Sequence, residues 1–318
     1  MSSIATRPGA SPSGGDTADA MADALRIQRE TTGEAAGVVM LYLDDPATPV
    51  TVLDRGAIAR LDAALDEIER DRPAGVVIAT SHGRVFVAGA DLAEIADLSD
   101  SELDAYLAEG QRVLGRIAAL PCRTVAAING AALGGGLELA LHCDTLIAQE
   151  PEKPDKPYQI GLPEASLGLC PGWGGTNTLP ARIEPGLAIG ATACGSTFSA
   201  FEAREHGLVE ALSPTREALH AEARRLALRR KPERTNPGEP LNAGMPDVAP
   251  RVRTALDRVR GDLPDADAAR AVAGCVEAGL TGGWREALAH ERASLIRLRS
   301  TRTARARIKA FFDRTSSR

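Results

Sequence analysis

Aromatic side chains make up only 3% of this chain of 318 residues, so any core has to be assembled from Ala, Leu, Val and Ile. Cysteine is also sparse. Cys122, Cys143, Cys170, Cys194 and Cys275 stand far apart and form no CxxC pair. Scattered thiols argue against a disulfide framework or a zinc site and fit a reducing, cytoplasmic setting. The histidines are equally dispersed. No apolar run reaches the ~20 residues that cross a bilayer, and the opening MSSIATRPGASPSGG lacks the apolar stretch of a secretory signal. HExxH, GxxxxGK[ST] and a helix-opening GxGxxG are all missing, so neither a metal site nor a phosphate loop is indicated. A net charge of −6 argues against general attraction to nucleic acid or anionic membrane. An anionic ligand would need a local site lined by cations or N–H groups.

What the chain does offer centres on Thr124–Ala148, TVAAINGAALGGGLELALHCDTLIA. Val125–Ile128 reads as a buried strand closed by Asn129-Gly130. Gly134, Gly135 and Gly136 follow, and then LELALHCD with helical apolar spacing. Glycines at a helix entrance let backbone N–H groups approach a negative oxygen along the helix dipole. Glu138 falls in the first turn of that helix. A carboxylate there either complements the dipole or acts on whatever the N–H groups hold.

Residues 1–30 are small, polar and Gly/Pro-punctuated, which predicts a disordered lead-in. Regular structure is expected from the strand Val38–Leu43, then an amphipathic helix over 55–70 with Ile58, Leu61, Leu65 and Ile68 on one face. Val76–Thr80 is continuously apolar, as strands covered on both faces are. VFVAGADLAEIADL repeats the strand, glycine, helix order, and a helix over 101–120 leads into the central strand. Strand, turn and helix thus recur at intervals of roughly 40–50 residues, predicting stacked β-β-α turns. The charged, Pro-rich segment 149–158 is expected in solvent. Helices are expected near 185–194, 200–206 and 216–230, then a Pro/Gly-rich hinge over 231–248 and a helical piece over 249–318. From Arg292 onward, nine Lys/Arg face one acid; the stretch reads as a solvated helix face, a nucleic-acid arm or a phosphate-binding helix.

Two Gly-flanked corners, 89–91 and 134–136, and two nearby carboxylates, Glu138 and Glu164, are the chemical assets. Paired N–H groups stabilise a developing oxyanion, and two carboxylates at one substrate can divide acid and base duties. His142, Cys143 and Asp144 share a predicted helix on which consecutive side chains diverge, so they form no triad.

In this order the motifs resemble the enoyl-CoA hydratase/isomerase (crotonase) family. VFVAGADLAEI is similar to its first signature, AAINGAALGGGLELALHCD to its second and IGLPEASLGLCPGWGGT to its third; FSAFEAREHGLVEAL resembles the segment that follows. The resemblance implies an α/β fold, a crotonase-like spiral of β-β-α turns over 31–230 with a C-terminal helical region, assembled as trimers or dimers of trimers. It implies that the backbone N–H groups of Ala90 and Gly135 form an oxyanion hole and that Glu138 and Glu164 are the catalytic acids of a hydratase acting on trans-2-enoyl-CoA. Ala88, Gly89, Asp91, Leu133, Gly134, Pro163, Gly172, Trp173 and Lys309 would contact substrate. No metal or redox cofactor is implied, since coenzyme A arrives as part of the thioester. The stretch 279–314 resembles the helical linker after the hydratase part of multifunctional fatty-acid oxidation α subunits. That reads as a stand-alone hydratase of this branch, associating with a separate 3-hydroxyacyl-CoA dehydrogenase or thiolase. Other crotonase-type reactions, isomerisation or a specialised dehydration, and a binding or assembly role for the basic tail, are the competing readings. The sequence departs from the family at Leu92-Ala93-Glu94, where many members carry a CoA-binding Lys, and around Val50–Asp54.

Overall fold

The computed structural model describes residues 25–44, 48, 50–81, 83–232 and 247–315. Most of the expected lead-in and of the expected hinge lies outside them. In chain order the strands are β1 (Arg26–Arg29), β2 (Val38–Tyr42), β3 (Gly75–Ala79), β4 (Val85–Val87), β5 (Arg123–Ile128), β6 (Ala131–Leu133), β7 (Thr145–Gln149), β8 (Gln159–Gly161), β9 (Thr197–Ser199) and β10 (Leu212–Ser213). They form two sheets. The larger runs β1-β2-β3-β5-β7-β10 and the smaller β4-β6-β8-β9. Within the larger sheet β2, β3, β5 and β7 are parallel neighbours. Every residue of β2 and β3 is buried, which is why both read as unbroken apolar runs.

Each turn of the spiral places one strand in the larger sheet, one in the smaller, and then a helix. β3, β4 and the helix Asp100–Ala119 make one turn; β5, β6 and the helix Gly135–Leu141 make the next. The spacing is less even than expected, because the first of those helices has 20 residues and the second only 7. Ser99 starts the longer helix with a reciprocal capping box to Glu102. The helix Arg55–Asp71 buries Ile58, Leu61, Leu65 and Ile68, the predicted stripe, and is capped by Asp54 accepting from the Ala57 N–H at 2.6 Å.

Two local expectations give way. Among the described residues regular structure begins at Arg26, because β1 pairs antiparallel with β2 despite its polar sequence. An edge strand exposes one face, so no apolar run marks it. The helix at Gly135 also ends at Leu141, with His142 as its cap. Asp144 instead closes a turn, accepting from the Thr124 N–H at 2.9 Å and pairing with Lys231 at 3.0 Å.

Three helical stretches follow residue 247 among the described residues: Val248–Val259, Asp267–Arg299 and Arg302–Thr315. The second is broken at Gly283, whose φ of 78° no helix contains. Among the described cations of the basic stretch Arg299 is buried and Arg292 half-buried, while Arg297, Arg302, Arg305, Arg307, Lys309 and Arg314 are exposed. The Arg299 guanidinium donates to the carbonyls of Ile95 (2.7 Å) and Leu98 (2.5 Å) and to Asp100. Arg292 pairs with Asp104 at 3.0 Å, and Arg307 donates to the Ala165 carbonyl at 3.2 Å. These three side chains fasten the C-terminal helices to the spiral.

Candidate active site

The corners converge because the smaller sheet is parallel where it matters. β4, β6 and β8 pair in parallel, with Val87 opposite Ala132 and Leu133 opposite Gly161. Their C-terminal ends therefore deliver 88–91, 134–136 and 163–164 to one side of the sheet. There they surround a cavity of about 400 Å³ lined by Ala88, Gly89, Ala90, Asp91, Leu133, Gly134, Gly135, Glu138, Pro163, Glu164, Gly172 and Trp173, among others. Of the residues singled out in the sequence, only Lys309 is missing from that wall.

Gly134 bends the chain into the helix at φ 53°, ψ −127°, a conformation that favours glycine. Its N–H donates to the Gly161 carbonyl at 2.9 Å, tying the corner to β8. Gly135 is then the first helical residue, and its N–H has no intrahelical acceptor. A Cβ on Gly135 would stand 3.2 Å from the Ala90 nitrogen, so the two backbone amides are neighbours. Leu53 holds the Ala90 corner from behind, its N–H donating to the Gly89 carbonyl at 2.9 Å. Two amides from different corners thus meet at one cavity wall, at a helix N-terminus, as stabilisation of a negative oxygen requires. Asp91 is used locally, accepting from the Ala93 N–H at 2.7 Å and capping the helix Leu92–Asp97.

Glu138 is almost wholly buried, and its Oε1 accepts from the N–H groups of Trp173 and Gly175, each at 2.8 Å. Burial pushes its carboxyl up to about 7, against the opposing pull of those two donors. Glu164 begins a short 3₁₀ turn after Pro163. Some of the residue remains accessible from the cavity, but its Oε2 is buried without a hydrogen-bond partner. Burial first, and then the charge of Glu138, raise the Glu164 carboxyl well above the usual range. Two carboxyls, both held above the usual range and differently hydrogen-bonded, thus share one pocket, where they can divide acid and base duties.

Lys309 lies elsewhere. It is largely exposed, pairs with Asp313 at 2.9 Å and lines a neighbouring cleft of about 620 Å³ that shares Phe312 with the cavity. The helix Arg302–Thr315 turns its phenylalanines, Phe311 and Phe312, to the cavity instead. With Leu295 they close it from the C-terminal region, and none of the three stood out in the sequence. Glu291 was equally silent, although it is fully buried. The signal was there: Ala287, Glu291 and Leu295 recur every four residues, so an acid occupies a core position. Among the described residues, no group of three or more His, Cys, Asp and Glu is placed to hold a metal, and no helix is long and apolar enough to cross a membrane.

The profile of the family described as enoyl-CoA hydratase/isomerase matches residues 33–235. The chain belongs to this family. This enoyl-CoA hydratase/isomerase relative is 34% identical over 289 residues to the fatty acid oxidation complex subunit alpha of Aliivibrio fischeri, covering 87% of this chain and 41% of that protein. It is 39% identical over 173 residues to a probable enoyl-CoA hydratase of Bacillus subtilis, covering 54% of this chain and 64% of that one. Both matches thus span less than two thirds of the curated relative's length. Human mitochondrial delta3-delta2-enoyl-CoA isomerase superposes with a TM-score of 0.64 at 25% identity, covering 92% of this chain and 98% of that one. The spiral of β-β-α turns is therefore the crotonase fold.

Proposed function

We propose that this crotonase hydrates trans-2-enoyl-CoA thioesters to 3-hydroxyacyl-CoA. What carries the reading is the pair of carboxylates, Glu138 and Glu164, in one cavity beside the amides of Ala90 and Gly135. The thioester carbonyl accepts from both amides, so C3 becomes electrophilic and charge collects on oxygen. A water lies between the carboxylates. Glu138, whose ionised form is held by the Trp173 and Gly175 amides, takes a proton from the water as its oxygen bonds to C3. Glu164, whose proton is held by burial and by the Glu138 charge, delivers that proton to C2. The elements of water are thereby added across the double bond, and each carboxyl exchanges its proton state. Coenzyme A serves as the carrier part of the substrate, and the step calls on no redox group.

The apolar wall of Ile95, Leu107, Leu295, Phe311 and Phe312 suits a hydrocarbon acyl chain. The Aliivibrio relative's name, fatty acid oxidation complex subunit alpha, supports a place in fatty-acid oxidation; association with a 3-hydroxyacyl-CoA dehydrogenase or thiolase is part of the proposal. Assembly as trimers or dimers of trimers belongs to the same proposal.

Loss of the conjugated-thioester absorbance with crotonyl-CoA and a longer enoyl-CoA tests it. Because the base must be ionised, kcat/KM rises with pH through about 7, the value set by the burial of Glu138. The longer chain reacts more efficiently. Rates that are flat across that range, or no turnover of either substrate, would sink the hydratase reading.

A further inference from the structure

A third buried carboxylate stands behind the first two. Glu291 belongs to the helix Asp267–Arg299, outside residues 33–235 that match the family profile. It is fully buried and does not line the cavity. The Gly-rich loop between Cys170 and the short helix Gly175–Thr178 is shared between two acids. The Trp173 and Gly175 N–H groups donate to Glu138 Oε1, each at 2.8 Å. The intervening amides point the other way: the Gly174 N–H donates to Glu291 Oε2 at 2.5 Å and the Thr176 N–H to Glu291 Oε1 at 3.0 Å. The Thr176 hydroxyl also bonds Glu291 Oε1. Four successive amides thus alternate between two carboxyls on opposite sides of one strand of chain.

Such alternation fixes the rotation of each peptide plane. If Gly174 and Thr176 are held on one side, the amides of Trp173 and Gly175 must face the other. A glycine loop left to itself has no such constraint, since glycine samples more backbone conformations than any other residue. Trp284 reinforces the arrangement at Gly174 (φ 99°), whose missing Cβ would lie 2.2 Å from the indole Cη2.

We infer that Glu291 is a positioning residue: by gripping Gly174 and Thr176 it aims the Trp173 and Gly175 amides at Glu138, so that the C-terminal helical region completes the general base in cis. The inference rests on the reading that Glu138 acts as a base on bound water. It ties the C-terminal helices to chemistry they do not touch.

The titratable groups facing Glu291 are Glu138, Cys275 and Cys170. Burial and the Glu138 charge hold the Glu291 proton more tightly than usual. Replacement by Gln keeps this position neutral, the state that burial favours, and removes one acceptor facing the loop. Glu291→Gln is expected to lower kcat by about 10- to 100-fold, the scale of a small misplacement of a catalytic group. KM stays within about threefold, because Glu291 is not in the cavity wall. Loss of aligned donors leaves the ionised Glu138 less stabilised, so its midpoint rises by about one pH unit.

That midpoint is read without substrate, from the ¹³C carboxyl shift of labelled glutamate, with the Glu138 signal assigned by its loss in Glu138→Gln. This separates the two claims: wild type inert on enoyl-CoA defeats the hydratase reading, while the titration still judges the positioning. An unchanged or lowered midpoint with kcat within twofold of wild type overturns the inference. If Glu291→Gln does not fold, Thr176→Val removes the hydroxyl's bond to Glu291 together with the one it accepts from Asn177 Nδ2 at 2.9 Å, and should shift the midpoint and kcat the same way, with Thr176→Ser restoring both. A Thr176→Val protein indistinguishable from wild type then overturns it.

Discussion

Glu164→Gln abolishes hydration while making the protein more stable. The amide matches the carboxyl in shape but has no acidic proton to give to C2, and general acid–base groups contribute about 10²–10⁴ in rate, so kcat falls by that factor. KM for crotonyl-CoA changes little, since the amides of Ala90 and Gly135 are untouched. The stability gain has the opposite origin. Burial and the Glu138 charge raise the Glu164 carboxyl, so the folded chain binds that proton more tightly than the unfolded chain. Such a group favours folding at low pH and loses that contribution as pH rises from the ordinary carboxylate range through the raised value. The neutral amide removes the loss. The melting temperature of Glu164→Gln should therefore match wild type near pH 5 and exceed it near pH 8. A gain of about 1 kcal/mol corresponds to about 2–4 °C. Calorimetry at the two pH values, with stopped-flow turnover, checks both halves. Full activity in the variant would remove Glu164 from the chemistry.

Gly135→Ala has the second largest effect, because one methyl strikes two functions. The new Cβ would lie 2.4 Å from Cζ3 of Trp173 and 3.2 Å from the Ala90 nitrogen. Trp173 has nowhere to retreat. Its ring meets Tyr106 edge-on at 5.6 Å, and the absent Cβ of Gly110 leaves only 2.2 Å to its Nε1. The strain passes into the backbone at 172–175, which carries the amides that hold Glu138, and into the corner at Ala90. Loss of one oxyanion donor lowers rates by about 10²–10³, and overpacking destabilises by about 1–3 kcal/mol. kcat/KM should thus fall by at least the lower of those factors, with a lower urea midpoint. Binding of a saturated acyl-CoA should weaken by far less than kcat/KM. Equal losses in both would mean that the corner only binds and does not act on the transition state.

The two Gly corners and the two glutamates were legible because backbone chemistry leaves a mark in sequence: glycines are spaced where chains approach closely, and the acids sit beside them. Resemblance to a family supplied the pairing that spacing alone left open. The apolar runs at Val76–Ala79 and Val125–Ile128 announced doubly covered strands, and the Ile58–Ile68 stripe a helix. β1 was invisible, since an edge strand needs no apolar pattern. Phe311 and Phe312 were obscured by a stretch read for its charge, and Glu291 lies just before it. Their importance comes from tertiary contacts across more than a hundred residues, with Arg299 reaching Ile95 and Glu291 reaching Gly174. Lys309 was selected for its charge, but helical phase turned Phe312 inward instead. Local pattern recorded the elements, and only packing showed which of them meet.

Wild type should be given a trans-2-enoyl-CoA and the matching trans-3-enoyl-CoA in parallel, following loss of the conjugated absorbance with the first and its appearance with the second. Two glutamates dividing acid and base duties predict that hydration of the trans-2 substrate exceeds isomerisation of the trans-3 substrate by about 10²-fold or more in kcat/KM, the low end of what a dedicated acid–base pair contributes. Faster isomerisation, with the trans-2 substrate untouched, would contradict the account and make this crotonase an isomerase.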